Sequence, residues 1–307
     1  MEYFIQAEHI TKAFDDKPAL ENFSINIPKG SIYGVLGPNG AGKTTFIRII
    51  NQITKPDSGT IIFNGEPLQP KHISLIGYMP EERGLYKNMK IGEQAVYLAQ
   101  LKGMSRAEAK KRLVYWFDKL NIDKWWNKKL SELSKGMAQK IQFVVTVLHN
   151  PELLIFDEPF SGFDPVNANL IRDEILELKK KGTTILFSSH RMESVEELCD
   201  FVALINHSHK VLDGSVKDLR HQFKEGKYRI TIHGLSENNF EDLKNTRCIE
   251  NPVSEDNELS FSIKLKEGET SKELIKMLSD KGDITSFYEE IPSMNQVFIN
   301  AVNSKKP

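Results

Sequence analysis

The chain has only two cysteines in 307 residues, Cys199 and Cys248. Their spacing matches no metal-ligand pattern, and two cysteines cannot build a disulfide framework, so a reducing compartment is expected. No apolar run approaches the roughly 20 residues that span a bilayer as a helix. The start, Met1-Glu2-Tyr3-Phe4-Ile5-Gln6, shows no basic segment followed by an apolar core, so no signal peptide is expected. Neither sign of charge dominates: 41 Lys+Arg stand against 42 Asp+Glu, which argues against nucleic acid as the main partner. Internal repeats and low-complexity tracts are also missing. What remains is a globular chain long enough for a full core and two domains.

Gly37-Pro38-Asn39-Gly40-Ala41-Gly42-Lys43-Thr44-Thr45 fits the phosphate-binding loop pattern G-x-x-x-x-G-K-[ST]. The apolar run Ile32 to Leu36 before it reads as a buried strand, and Phe46-Ile47-Arg48-Ile49-Ile50 after it as a helix start. In such a loop, backbone N–H groups and the helix N-terminus face the phosphates. Lys43 reaches the β- and γ-phosphates, and the Thr44 hydroxyl holds Mg²⁺. The loop therefore points to a phosphate-bearing ligand with Mg²⁺.

A second element follows the strand Leu153-Leu154-Ile155-Phe156, which runs into Asp157-Glu158. Asp157 is the expected Mg²⁺ ligand, and Glu158 the general base or water positioner. A third strand, Thr183 to Phe187, leads to Ser188-Ser189-His190.

The surroundings predict an α/β chain. Short apolar bursts up to about residue 30, with a turn at Asp15-Asp16-Lys17-Pro18, read as antiparallel strands. Asp57-Ser58-Gly59 reads as a turn, Thr60 to Phe63 as a strand, and Asn64-Gly65 as another turn. Residues Gly92 to Leu101 and Ser105 to Leu120 read as amphipathic helices, the second opened by the capping box Ser105-Arg106-Ala107-Glu108. Arg191 to Cys199 reads as a helix and Phe201 to Asn206 as a strand, the alternation of a mostly parallel sheet. Beyond about residue 220, alternation at Tyr228, Ile230, Ile232 and at Leu259, Phe261, Ile263, Leu265 predicts a small α+β domain. Its helices are expected at Ser271 to Ser279 and Met294 to Val302, with a strand at Thr285 to Ile291.

Taken in this order, the motifs over residues 3–220 resemble the ATP-binding subunit of an ATP-binding-cassette (ABC) transporter. The resemblance implies an ABC cassette over 1–220, with an antiparallel β subdomain and a helical subdomain at about 87–150, and an accessory domain over 221–307. Phe14 falls where the family stacks an aromatic ring on adenine. Leu133-Ser134-Lys135-Gly136-Met137, continued by Gln139 and Lys140, sits where the family carries Leu-Ser-Gly-Gly-Gln. Ser161-Gly162-Phe163-Asp164 resembles the loop at the dimer interface, and His190 the histidine that contacts the γ-phosphate. In the family the signature, here Ser134 and Gly136, binds ATP held by the opposite subunit. The resemblance thus implies a second cassette as partner, a homodimer in the simplest case.

The departures are specific. Glu81 stands where the family usually has Gln; a carboxylate there can ligate Mg²⁺ or orient water. Lys135 and Met137 replace Gly and Gln, and Lys135 reads as solvent-facing, with added phosphate attraction as the alternative. Trp125-Trp126 either packs the helical subdomain or touches the transporter. Pro80-Glu81-Glu82-Arg83-Gly84-Leu85-Tyr86 and the C-terminal segment resemble a bacterial sodium- or drug-efflux branch. The expected function is an ATPase on the inner face of the membrane that powers a separate integral-membrane permease, an exporter. A nucleic-acid or ribosome-acting cassette fits less well, since the chain has one set of motifs and no long heptad run. A mere ATP sensor is disfavoured by intact Lys43, Asp157, Glu158 and His190.

Overall fold

The computed structural model describes residues 2–81 and 84–304. It divides into two compact units, one of residues up to Val216 with the chain end from Asn300, the other Lys217–Ile299.

The first unit opens with β1 (Tyr3–Phe14) and β2 (Lys17–Pro28), an antiparallel pair turned by Asp15 and Asp16. Both turn residues have positive φ (47° and 61°), the geometry that lets a two-residue hairpin follow the strand twist. The elements β3 (Ile32–Leu36), α1 (Lys43–Ile50), β4 (Ser58–Phe63) and β5 (Glu66–Pro67) follow. The expected turn at Asp57-Ser58-Gly59 is instead the start of β4. Gly59 has φ 93° beside a register shift between β1 and β4, and a Cβ there would lie 2.5 Å from the His9 carbonyl oxygen. The glycine stands opposite a bulge in β1, where His9 and Ile10 face it and backbone approaches backbone.

Next come β6 (Ile76–Met79), then the helices α2 (Ile91–Leu101), α3 (Arg106–Lys119) and α4 (Lys135–Val147). Ser105 caps α3 by accepting the Glu108 N–H at 3.2 Å. Trp126 packs within this helical region: its indole lies where a Cβ on Gly92 of α2 would come within 2.3 Å, and its edge meets Phe117 with centroids 5.6 Å apart. The unit continues with β7 (Leu153–Asp157), α5 (Pro165–Lys180), β8 (Thr184–Ser189), α6 (Met192–Leu198), β9 (Phe201–Asn206) and β10 (His209–Ser215). Phe143 of α4 stacks on Phe156 of β7 at 5.8 Å and takes the edge of Trp116 of α3 at 5.8 Å. One aromatic column therefore fixes the helices on the sheet.

Two sheets result, β2-β1-β4-β5 and β10-β9-β3-β8-β7-β6. In the second, β6, β7, β8, β3 and β9 run parallel and only β10 is antiparallel. Strands β3, β7 and β8 are buried along their whole length, as parallel strands covered on both faces must be. Because they are parallel, the loops after β3, β7 and β8 emerge at one edge, where α/β sheets place their ligands.

The boundary helix α7 (Val216–Gln222) leads to the second unit, with β11 (Lys227–His233), α8 (Glu237–Thr246), β12 (Ile249–Glu255), β13 (Glu258–Lys264), α9 (Ser271–Ser279) and β14 (Asp283–Glu289); α10 (Met294–Ser304) ends the described chain. Its antiparallel sheet has the order β12-β13-β11-β14, over a core of Ile230, Ile232, Leu243, Phe261, Ile263, Leu274 and Leu278. The strand expected at Thr285 to Ile291 begins and ends two residues earlier, at Asp283 and Glu289. Helix α8 and strand β12 were not expected. The helix buries only Leu243, and β12 is an exposed edge strand holding Asn251-Pro252, so neither shows an apolar period. Among the described residues no helix is long and apolar enough to cross a membrane.

Candidate active site

The loop from Gly37 to Thr45 leaves the end of β3 and turns into α1. Gly37 and Gly42 have φ of 148° and 117°, and a Cβ on either would lie 2.1 Å from the Ile205 carbonyl oxygen or 2.2 Å from that of Ala19. Only glycine fits both the angles and the space. The Ala41 side chain is buried, and its N–H donates to the Pro38 carbonyl at 3.2 Å. Lys43 is 7% exposed; its Nζ donates to the carbonyls of Gly37 (2.7 Å) and Pro38 (3.0 Å). Burial pulls its pKa down, opposed by the charges of Glu158, Asp157 and Glu81. The first turn of α1 contains no acidic side chain to compete for an anion.

Asp157 ends β7 with its carboxylate buried. Thr44 Oγ1 donates to its Oδ2 at 3.4 Å, and Ser188 Oγ to its Oδ1. Burial raises the Asp157 pKa, with the neighbouring Glu158 adding to the rise, while the Ser188 and Thr44 hydroxyls and Lys43 oppose it. Glu158 is a non-glycine residue with φ 51°, a left-handed conformation that costs energy. Its N–H donates to the Ser188 carbonyl at 3.1 Å. Its Oε1 accepts the His190 backbone N–H at 2.8 Å and lies 2.6 Å from His190 Nδ1; Ser189 Oγ donates to Oε2 at 3.3 Å.

Asn39, Gly40, Gly42, Lys43, Thr44, Thr45, Glu81, Asp157, Glu158 and His190 line one cleft of about 290 Å³. The structure therefore brings together the phosphate loop, the acidic pair, the histidine and Glu81. A larger groove of about 940 Å³ lies by Glu152, Thr183 and Lys29, at the opposite ends of the parallel strands. It gathers no comparable set of reactive groups, so chemistry and not size marks the site.

Seven expected residues lie outside the cleft lining: Gly37, Pro38 and Ala41 of the phosphate loop, and Phe14, Ser134, Gly136 and Asp164 beyond it. Phe14 is 47% exposed, with Lys12 Nζ 5.3 Å from its ring centroid. Ser134 caps α4, accepting the Met137 N–H at 3.3 Å. Gly136 faces Gly162, whose carbonyl oxygen would lie 3.4 Å from an added Cβ. Asp164 caps α5 by accepting the Asn167 N–H at 3.0 Å, and its hydrogen bonds to Asn167 hold its carboxyl below the usual range. Lys135 is exposed, yet its aliphatic stem covers Gly162; a Cβ there would lie 2.5 Å from Cε. Of the efflux-like run, Glu82 and Arg83 lie outside the described residues. Sequence reasoning gave Ser188 no role, although its place between Phe187 and His190 at a strand end was the available signal.

The family model described as "ABC transporter" matches residues 20–161. The "uncharacterized ABC transporter ATP-binding protein YhaQ" of Bacillus subtilis is 44% identical over 97% of this chain and 98% of that protein. The chain belongs to the ABC transporter ATP-binding proteins. It is thus an ATPase coupled to transport, and its cassette binds ATP. The "linearmycin resistance ATP-binding protein LnrL" of the same organism is 30% identical over 96% of this chain and 97% of that protein. A solved structure of an "ATP binding subunit of ABC transporter" superposes with TM-score 0.67 at 29% identity, over 72% of this chain and 93% of that one. Residues 214–302 match the model "ATP-binding protein DrrA1-3-like, C-terminal domain", and 127–196 also match an AAA domain model described as a putative AbiEii toxin.

Proposed function

We propose that this chain hydrolyses ATP between two copies of itself and so drives a separate membrane permease that exports its cargo. The observation that carries the reading is the single cleft in which the phosphate loop meets Asp157, Glu158 and His190, with Ser134 and Gly136 outside it. Gly37 to Thr45 would cradle the phosphates, with Lys43 leaving the Gly37 and Pro38 carbonyls for the β- and γ-phosphates. The oxygen donors Thr44, Asp157 and Glu81 suit Mg²⁺, a hard cation that keeps several waters and takes few protein ligands. Bound there, Mg²⁺ would neutralise phosphate charge. Glu158 is the base that takes a proton from the attacking water, and His190 orients it while reaching toward the γ-phosphate. Phe14 offers an exposed ring face for adenine.

Ser134 and Gly136, at the start of α4, would close over the ATP of a second cassette, with Asp164 near that interface. The residues over 1–220 act as the cassette and 221–307 as an accessory domain. Export is supported by likeness to the linearmycin resistance protein and to the DrrA-like C-terminal model. The protein would then lie on the inner face of the membrane, held by its permease, with no nucleic-acid partner.

The test is purification of Glu158→Gln from gently solubilised native membranes with ATP and Mg²⁺. A polytopic membrane protein should copurify, and the soluble chain should shift from monomer to dimer. A strictly monomeric chain with no membrane protein attached would sink the reading.

A further inference from the structure

Helix α4 carries two buried amides that the chemistry above does not use. Gln139 is 2% exposed and Gln142 4%. Three residues apart, they share one face of the helix. Gln139 Nε2 donates to the Pro159 carbonyl at 3.3 Å, and Gln142 Nε2 to the Pro80 carbonyl at 2.8 Å. Each accepting proline adjoins a carboxylate of the cleft: Pro159 follows Glu158, and Pro80 precedes Glu81. Proline has no N–H, so its carbonyl is the one backbone group through which a donor can hold it.

Packing alone does not call for amides here. An apolar side chain of the same size would fill the space without the penalty of burying polar atoms. At Gln142 that penalty is visible, because Oε1 is buried with no hydrogen-bond partner among the described residues. The side chain tolerates one unpaired acceptor while its donor holds Pro80. The same helix makes a third contact at its first turn, where the Lys135 stem lies on Gly162, which has φ 90°. One rigid helix thus starts at Ser134 and Gly136 and grips the segments flanking both Glu81 and Glu158.

We infer that Gln139 and Gln142 are positioning residues, through which the signature helix sets the placement of Glu158 and Glu81. The inference rests on the proposed roles of Glu158 and of Ser134 with Gly136. A nucleotide of the partner seated on Ser134 and Gly136 biases the position of α4. The two amides carry that bias to the chain's own carboxylates, so that hydrolysis at one site depends on occupancy of the other.

The experiment compares the full-length chain with Gln142→Met, Gln139→Met and Glu158→Gln. Methionine keeps the length and removes the donor. Steady-state hydrolysis against ATP concentration, binding of a fluorescent ATP analogue and thermal unfolding are measured together. In each methionine variant kcat should fall about tenfold and the Hill coefficient should drop toward one, while nucleotide affinity stays within about twofold. A purely structural amide would lower Tm and leave kcat and cooperativity alone; that result overturns the inference. Should one variant fail to fold, the other tests the same coupling through its separate bond. If Glu158→Gln abolishes hydrolysis while both methionine variants keep wild-type kcat and cooperativity, the inference alone falls. If Glu158→Gln hydrolyses normally, the assigned base falls and the inference with it.

Discussion

His190 holds Glu158 at two points: its backbone N–H donates to Oε1 at 2.8 Å, and its Nδ1 lies 2.6 Å from the same oxygen. Oε2 is left with the Ser189 hydroxyl at 3.3 Å, the weaker contact. The carboxylate is therefore oriented before any water arrives, with Oε2 the freer oxygen. Removal of the proposed base should lower kcat by about 100-fold or more in Glu158→Gln, with ATP binding retained. His190→Ala keeps the backbone donor and loses the ring, with its hold on Glu158 and its proposed reach toward the γ-phosphate, so its kcat should also fall, but by less than that of Glu158→Gln. Single-turnover hydrolysis and equilibrium ATP binding on both variants separate these contributions.

The glycines of the phosphate loop differ in why they are glycine. At Gly42 a Cβ would lie 2.2 Å from the Ala19 carbonyl oxygen, whereas at Gly40 nothing stands within 4 Å. Both have positive φ, 117° and 79°. Gly40→Ala therefore meets only backbone strain, about 1 kcal/mol. Gly42→Ala adds a clash with backbone that cannot step aside. Thermal unfolding of the nucleotide-free chains should show a Tm loss of a few degrees at most for Gly40→Ala and a much larger one for Gly42→Ala. Equal losses would mean that the loop is not held against Ala19.

What could be read from the sequence were residues whose chemistry demands a type at a spacing. The phosphate loop, Asp157, Glu158 and His190 are of this kind, as are β7 and β9, whose apolar runs admit few other readings. Side chains whose role depends on what folds against them were not legible. Gln139 reads only as a continuation of the signature and Gln142 carries no reading, because their bonds to the Pro159 and Pro80 carbonyls exist only in the fold. Lys135 was expected to face solvent, and its charged end does lie at the surface, but Gly162 claims its stem. Asp164 was expected at an interface; the structure shows the local hydrogen bond by which it starts α5. Gly59 reads as a turn from the sequence, since a glycine opposite a bulge and a glycine in a turn adopt the same backbone angle.

His149 makes stability depend on pH. Burial, together with the nearby charges of Lys102 and Arg112, lowers its pKa from 6.5 to about 4, despite the Ile76 carbonyl 3.2 Å from Nε2. In the unfolded chain the ring takes a proton below pH 6.5; in the folded chain it resists until about pH 4. Between those values the unfolded state binds more protons, so stability falls as pH falls. Its share of the loss from pH 7 to pH 5 is about 2 kcal/mol. His149→Gln retains an amide donor for Ile76 and cannot titrate. Urea unfolding at both pH values should show the wild type losing more stability than the variant; equal losses would remove His149 as the cause.

Lys119 joins α3 to α5. Its Nζ lies 2.5 Å from Glu174 Oε2 and 2.7 Å from Glu177 Oε2, and 5.4 Å from the centroid of Trp116. Glu174 is 6% exposed, so its carboxylate has left water and depends on this ammonium. Breaking such a pair from one side leaves a buried charge without its partner, which costs more than the pair is worth. Lys119→Met should therefore destabilise the chain by about 2 kcal/mol, less than for a fully buried pair because the lysine is partly hydrated. Glu174→Gln removes the charge that suffers, so the double variant should recover most of the loss, giving a favourable coupling in a double-mutant cycle. The cycle is read from denaturant midpoints at constant slope. Additive losses would show that Glu174 does not depend on Lys119, and that this ion pair is not what joins the two helices.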